Sequence, residues 1–108
     1  MHVSVCDYLD LKHREAFYFH AHNEARRTSF ERYLAKVMRL RAGLPDLMLP
    51  LSKGKYTGLG IELKIKPNKL TENQKFVGEK LQEQGWKVDV CYDFDQAREV
   101  IDEYLEKQ

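Results

Sequence analysis

Asp46, Glu62 and Lys64 are the residues whose types and spacing could do chemistry. Asp46 closes the segment Gly43-Leu44-Pro45-Asp46, and Glu62-Leu63-Lys64 stands inside a later apolar run. In Gly60-Ile61-Glu62-Leu63-Lys64-Ile65-Lys66 apolar and charged residues swap at every step, as in a strand with one buried face. That alternation places Glu62, Lys64 and Lys66 on one face and Ile61, Leu63 and Ile65 on the other. Asp46 opens a second apolar run, Leu47-Met48-Leu49, and the turn signal Ser52-Lys53-Gly54-Lys55 between the runs predicts an antiparallel hairpin. Such a hairpin returns Asp46 toward Glu62.

Carboxylate oxygens suit Mg²⁺ or Mn²⁺, which one or two acidic side chains hold together with waters and substrate phosphate oxygens. The backbone carbonyl of Leu63 can supply another oxygen. A cation held by Asp46, Glu62 and Leu63 would polarise a scissile phosphate and lower the pKa of a bound water for in-line attack. Lys64 would orient that water or offset the negative charge growing on phosphorus. The competing reading is ordinary: Pro-Asp is a common turn pair, and Glu-x-Lys on a half-exposed strand can be a solvated ion pair. The order and spacing of the pieces together favour a phosphodiester-cleaving site.

Gly43-Leu44-Pro45-Asp46, then Glu62-Leu63-Lys64, then Gln74 beyond Leu70-Thr71, resembles the VRR-NUC branch of the PD-(D/E)XK nucleases. The likeness extends over most of the chain, since Phe19-His20-Ala21-His22-Asn23-Glu24 and Gly85-Trp86-Lys87-Val88 sit where that family has its first and last strands. The resemblance implies a restriction-endonuclease-like α/β core, a mixed central β-sheet flanked by helices. It further implies a metal-dependent nuclease acting on branched DNA, with Asp46, Glu62 and Lys64 as the catalytic set and Gln74 beside them. Small standalone members, often phage-borne, resemble Holliday-junction resolvases and act as homodimers. One departure is visible: the family usually carries a glutamate early in its first helix, where this chain offers only Asp7, Asp10 and Glu15, with Asp7 the nearest substitute.

A chain of 108 residues is the size of a single domain, 1–108, with one core. No apolar run is long enough to span a bilayer and no secretory leader is visible, so a cytoplasmic setting is expected; the resemblance implies that of a bacterial or phage-infected cell. Cys6 and Cys91 are far apart and lack partners at metal-ligand spacing, which gives no zinc framework and little reason for a disulfide. Cys91, in Val88-Asp89-Val90-Cys91, has the place of a small core residue. His20 and His22, two apart on an expected strand, could reach one metal, but an exposed strand face is the favoured reading.

The formal net charge of +1 at pH 7 hides an asymmetry. Residues 1–69 carry thirteen Lys and Arg against seven Asp and Glu (+6), and residues 70–108 carry five against ten (−5). A basic binding face with an acidic back would produce this. Arg26, Arg27, Arg32, Lys36, Arg39 and Arg41, with Glu31 as the only acid among them, form the densest basic segment. Lys53, Lys55, Lys66 and Lys69 are expected to add to it around the site. The DNA-binding set is therefore Arg26, Arg27, Arg41, Lys66 and Lys69, whose phosphate contacts would give salt-sensitive, sequence-independent affinity.

Apolar spacing predicts a helix near 4–15 with Val5, Tyr8 and Leu9 inward, a strand over 17–21, and a helix over 29–41 behind the capping box Thr28-Ser29-Phe30-Glu31. The hairpin strands fall at about 46–50 and 57–66, the second closed by Pro67. Thr71-Glu72-Asn73-Gln74 predicts another capped helix, ended by Gly85. Gln74 can serve that cap or face a phosphate, and the pattern does not choose. A strand over 86–92 and a final helix capped by Asp93 complete the order. The acidic residues of that helix, Glu99, Asp102, Glu103 and Glu106, are expected to face solvent.

Three functions are consistent with these residues: an endonuclease for branched DNA, best matched to four-way junctions cut by a homodimer; a nuclease fold with a disabled site that binds branched DNA; and an interaction domain in which Glu62 and Lys64 merely pair.

Overall fold

The structure, a computed structural model, describes residues 2–20 and 43–106 together with Ser29. Helix α1 spans His2–Lys12, strand β1 Phe19–His20, strand β2 Leu47–Leu49, strand β3 Gly58–Leu63, helix α2 Glu72–Glu83, strand β4 Trp86–Cys91 and helix α3 Phe94–Glu106. The helix expected over 29–41, His22, and the arginines Arg26, Arg27 and Arg41 lie outside the described residues, Ser29 excepted.

The four strands form one mixed sheet in the order β1-β2-β3-β4. β1 pairs antiparallel with β2, and β2 with β3 in the register Leu47↔Ile61, Met48↔Gly60 and Leu49↔Leu59, so the hairpin predicted from the two apolar runs is present. β3 and β4 are parallel over Gly58↔Trp86 to Leu63↔Cys91, and α2 supplies the crossover that a parallel pair requires. α1 and α3 cover one face of the sheet and α2 the other.

Alternation along β3 decides what each face carries. Leu59 and Ile61 point into a core shared with Leu47 and Leu49 of β2, Val5 and Leu9 of α1, Cys91 of β4, and Ala97, Ile101 and Tyr104 of α3. Each fully buried leucine among these contributes roughly 1.5–3 kcal/mol of hydrophobic transfer energy. Gly58, Gly60 and Glu62 occupy the opposite face. Gly58 lies under the Trp86 ring, and a side-chain carbon added there would come within 2.6 Å of it.

The helix signals are borne out locally. The Thr71 hydroxyl accepts from the Gln74 N–H at 3.1 Å, while the Gln74 side-chain oxygen accepts from the Thr71 N–H at 2.9 Å, closing a reciprocal cap. Gly85, at φ +91°, takes the left-handed conformation that ends α2. The Asp93 carboxylate accepts from the Gln96 N–H at 2.8 Å and caps α3. Among the described residues no helix is long and apolar enough to cross a membrane.

Three expectations need correction. β3 ends at Leu63 rather than near 66, because the chain turns at Ile65–Asn68, where the Asn68 N–H bonds the Ile65 carbonyl at 2.9 Å. Lys53 and Lys55 lie at the closed end of the hairpin, joined by the Lys53↔Tyr56 bridge, whereas Asp46 and Glu62 lie at its open end. Asp102 does not simply face water: it accepts from the Tyr8 hydroxyl at 2.6 and 2.7 Å and from His13 Nε2 at 2.8 Å. Burial pushes the Asp102 carboxyl up, but hydrogen bonds from Tyr8 and His13 and attraction to His13 and Lys12 outweigh it and hold the group below its ordinary value.

Candidate active site

The approach to β2 is threaded between two elements by glycines. Gly43, at φ +89°, sits against α2, where an added Cβ would come within 2.6 Å of the Asn73 carbonyl oxygen. Pro45 lies over Gly60 of β3, where an added Cβ would come within 2.9 Å of the proline ring. Gly43-Leu44-Pro45 is thus held between the first turn of α2 and the face of β3. It delivers Asp46 to the start of β2 with only 3% of its surface exposed.

The β2–β3 pairing ends at Leu47↔Ile61. Two residues further along β3, the Leu63 N–H has passed the end of that ladder, and the Asp46 carboxylate takes it instead, at 2.8 Å. In an extended strand a residue's N–H and C=O leave on the same edge, so the Leu63 carbonyl is aimed to the same side as the Asp46 carboxylate. Glu62 is 4% exposed. Asp46 and Glu62 are the buried charged side chains of the described core, and both lie at this corner of the sheet.

Glu62 opens onto a cleft of about 220 Å³ between α2 and the sheet, whose walls include Gly43, Pro45, Gln74, Glu79 and Val90. Gln74 therefore lies in the same cleft as Glu62 while its side-chain oxygen is engaged in the helix cap. Of the two roles left open for it, the capping role is the one present here. Glu79 and Gln82 also reach the cleft, and no motif marks them. Their signal is the helical repeat Gln74, Gly78, Gln82, which sets one stripe of α2 toward the sheet.

Lys64 follows Glu62-Leu63 directly, and its N–H donates to the Cys91 carbonyl at 3.0 Å. That bond extends the β3–β4 pairing one residue past the strand, which keeps the alternation running and puts Lys64 on the face of Glu62. Lys66 and Lys69 are exposed in the segment between β3 and α2. The Lys66 ammonium lies 5.6 Å from the centroid of the Tyr92 ring. The sequence-identified Asp46, Glu62, Leu63 and Gln74 are thus neighbours, with Lys64, Lys66 and Lys69 on the adjoining segment.

The early acids are placed differently. Asp7 is exposed on α1, which buries Val5 and Leu9 against the face of the sheet opposite Glu62. Asp10 accepts from the Tyr18 hydroxyl at 2.7 Å. Glu15 lies in the turn after α1.

Two buried carboxylates at one corner carry a desolvation cost that a cation or a dense set of donors must offset. The donor set present, oxygen throughout, is the set hard divalent cations take. Chemically the corner can hold such an ion beside a lysine and at the mouth of a cleft.

Comparison with known proteins identifies the family of the chain. The VRR-NUC domain family model matches residues 2–94. A solved structure described as a VRR_NUC domain protein shares the fold with a TM-score of 0.78 and 26% sequence identity, over 97% of this chain and 84% of that one. No curated protein matches the chain. With the family model spanning most of its length and the mixed sheet and flanking helices in common, the chain belongs to the VRR-NUC nuclease family.

Proposed function

We propose that this protein is a divalent-metal-dependent endonuclease that hydrolyses phosphodiester bonds in branched DNA, with the four-way junction as its preferred substrate. The observation that carries this reading is the Asp46 carboxylate clamped on the Leu63 N–H, next to buried Glu62. Asp46, Glu62 and the Leu63 carbonyl are the residues that would hold Mg²⁺ or Mn²⁺; when bound, such an ion supplies charge neutralisation at the phosphate and a water of lowered pKa.

The chain's own residues then have distinct tasks. The Leu63 N–H fixes the Asp46 carboxylate, so one of its oxygens is oriented before substrate arrives. Lys64 holds the attacking water or offsets charge developing on phosphorus. Gln74 keeps the first turn of α2 in place against the cleft. Lys66 and Lys69 engage flanking phosphates, with Arg26, Arg27 and Arg41 extending that basic surface. A junction has two-fold symmetry and needs matched cuts in opposing strands, which a homodimer with one site per subunit supplies. The cytoplasm is the expected compartment.

The second reading, a disabled nuclease fold that binds branched DNA without cutting it, is favoured by one observation: α1 packs on the face opposite Glu62 and brings no acid to that face. Junction binding and cleavage measured side by side, with and without chelator, separate the two. Nicks that vanish with EDTA support the endonuclease; binding that survives EDTA with no cut in any divalent ion supports the disabled fold.

A further inference from the structure

We propose a second metal site, for a divalent ion of the zinc class, formed by His13, Asp102 and Glu106 where the exit of α1 meets the last turn of α3. One ligand atom from each of the three lies within 4.8 Å of the others. His13 Nε2 already sits 2.8 Å from an Asp102 oxygen. A metal ion takes the place of the proton between them, so His13 binds as neutral imidazole and both carboxylates as anions. The donor set is one nitrogen and two oxygens, which suits zinc with an open fourth position.

Acidic groups gather at the end of α3, where Lys12 and His13 already attract Asp102. Asp102 and Glu106 stand four residues apart, on one helix face, where like charges repel. Glu103 adds a third acid, and the last described turn of α3 carries no basic residue, although the negative end of the helix dipole lies there. Lys107 follows outside the described residues. Arg98 reaches Asp102 only at 4.0 Å, and none of the described ion pairs includes Glu106.

The surroundings are those of a supported site. The Tyr8 hydroxyl donates to Asp102 and fixes the carboxylate, as outer-sphere partners of metal ligands do. The His13 N–H bonds the Leu9 carbonyl at 2.9 Å, anchoring the ring's backbone to the end of α1. A cavity of about 600 Å³, lined in part by His13, Arg14, Ser52 and Leu105, adjoins the cluster and gives water access to an open coordination position. The site lies among α1 and α3, on the side of the sheet away from Glu62, and the inference does not depend on the cleavage reading.

Zinc titration against a chromophoric chelator tests this. The parent protein is the double variant Asp46→Asn with Glu62→Gln, which removes the proposed active-site carboxylates from the count. One zinc ion per chain is expected, with Glu106→Gln and His13→Ala each weakening the affinity by at least roughly a hundredfold and Tyr8→Phe by roughly tenfold. Glu106 is exposed, so its substitution leaves the core untouched. Zinc is also expected to raise the thermal midpoint of the parent but not of the Glu106→Gln form. Cys6 Sγ lies 3.5 Å from His20 Nε2 and is the rival ligand pair. Affinity that is unchanged in Glu106→Gln and His13→Ala, lost instead in Cys6→Ser, or absent even against the weakest chelator overturns the proposal.

Discussion

The Asp46 carboxylate accepts the main-chain N–H of Leu63 at 2.8 Å, replacing the strand partner that β3 lacks once the β2 ladder has ended. This single bond couples the Gly43–Asp46 segment to the Glu62-Leu63-Lys64 run. It makes the position of one carboxylate depend on the backbone of the other.

Substitutions at Asp46 should therefore separate chemistry from folding. Asp46→Asn keeps an oxygen for the Leu63 N–H, so stability should change little while cleavage is lost and DNA binding stays. Asp46→Ala strands that N–H and should also cost about 1–3 kcal/mol in urea unfolding. Equal stability of the two variants would contradict the structural role given to this bond.

Gly60 has no chemical group to offer, yet its replacement should impair the enzyme. A Cβ at that position meets the Pro45 ring at 2.9 Å, so Gly60→Ala should push Pro45 and hence Asp46 out of register. The expected result is a loss of cleavage rate of about 10²-fold, the penalty typical of a misplacement near 1 Å, with DNA affinity retained. Single-turnover cleavage beside a binding measurement checks it, and a wild-type rate would show that the proline does not position the aspartate.

Gln74 should act first on stability. Removing its side chain in Gln74→Ala deletes the bond to the Thr71 N–H and should cost about 0.5–1 kcal/mol. Gln74→Glu preserves the capping oxygen and should restore stability. Should Gln74→Ala lose cleavage far beyond what its stability explains, and Gln74→Glu fail to rescue it, the side chain works on substrate as well.

Cys91 supplies a pH signature. Burial, reinforced by Asp89, pushes its thiol up to about 11 from 9.0. The folded protein holds the thiol proton more tightly than the unfolded chain, so the stabilisation is complete below pH 9.0 and is lost as pH rises toward 11. In the native protein at pH 8 a thiol reagent should modify Cys6, half-buried, well before Cys91. Cys91 should react only as fast as the protein unfolds, and Cys91→Ser should flatten part of the alkaline loss of stability.

Lys66 and Lys69 should contribute affinity without sequence preference. Neutralising either should weaken junction binding and lower the slope of log affinity against log salt by about one for each phosphate the protein no longer neutralises. The same change at Lys53, at the closed end of the hairpin, should leave the slope as it is, because the turn lies at the far end of β2 and β3 from Asp46 and Glu62.

The hairpin and its two carboxylates are legible in the sequence because two apolar runs flank a turn signal, but the expectation of one buried face fails: β2 is buried throughout and β3 from Gly58 to Glu62, since α2 covers the face that Glu62 shares with Gly58 and Gly60. The caps at Thr71 and Asp93 are legible because they are local. What the pattern does not carry is long-range. Asp102 reads as one more acid on a solvated helix face, since its partners Tyr8 and His13 lie at the other end of the sequence. Charge alone groups Lys53 and Lys55 with the site, although the same hairpin that joins Asp46 to Glu62 must send its own turn to the opposite end. The clearance of Gly60 for Pro45 is an approach between separate segments, invisible until both are placed.

The most direct measurement is cleavage of an end-labelled immobile four-way junction, beside flap, single-stranded and linear duplex controls, in Mg²⁺, Mn²⁺ or EDTA, with wild-type and Asp46→Asn protein. Paired nicks on the junction that require the divalent ion and disappear in Asp46→Asn while binding persists are the expected result. Binding without cuts in either metal, or nicks that Asp46→Asn makes at the wild-type rate, would contradict it.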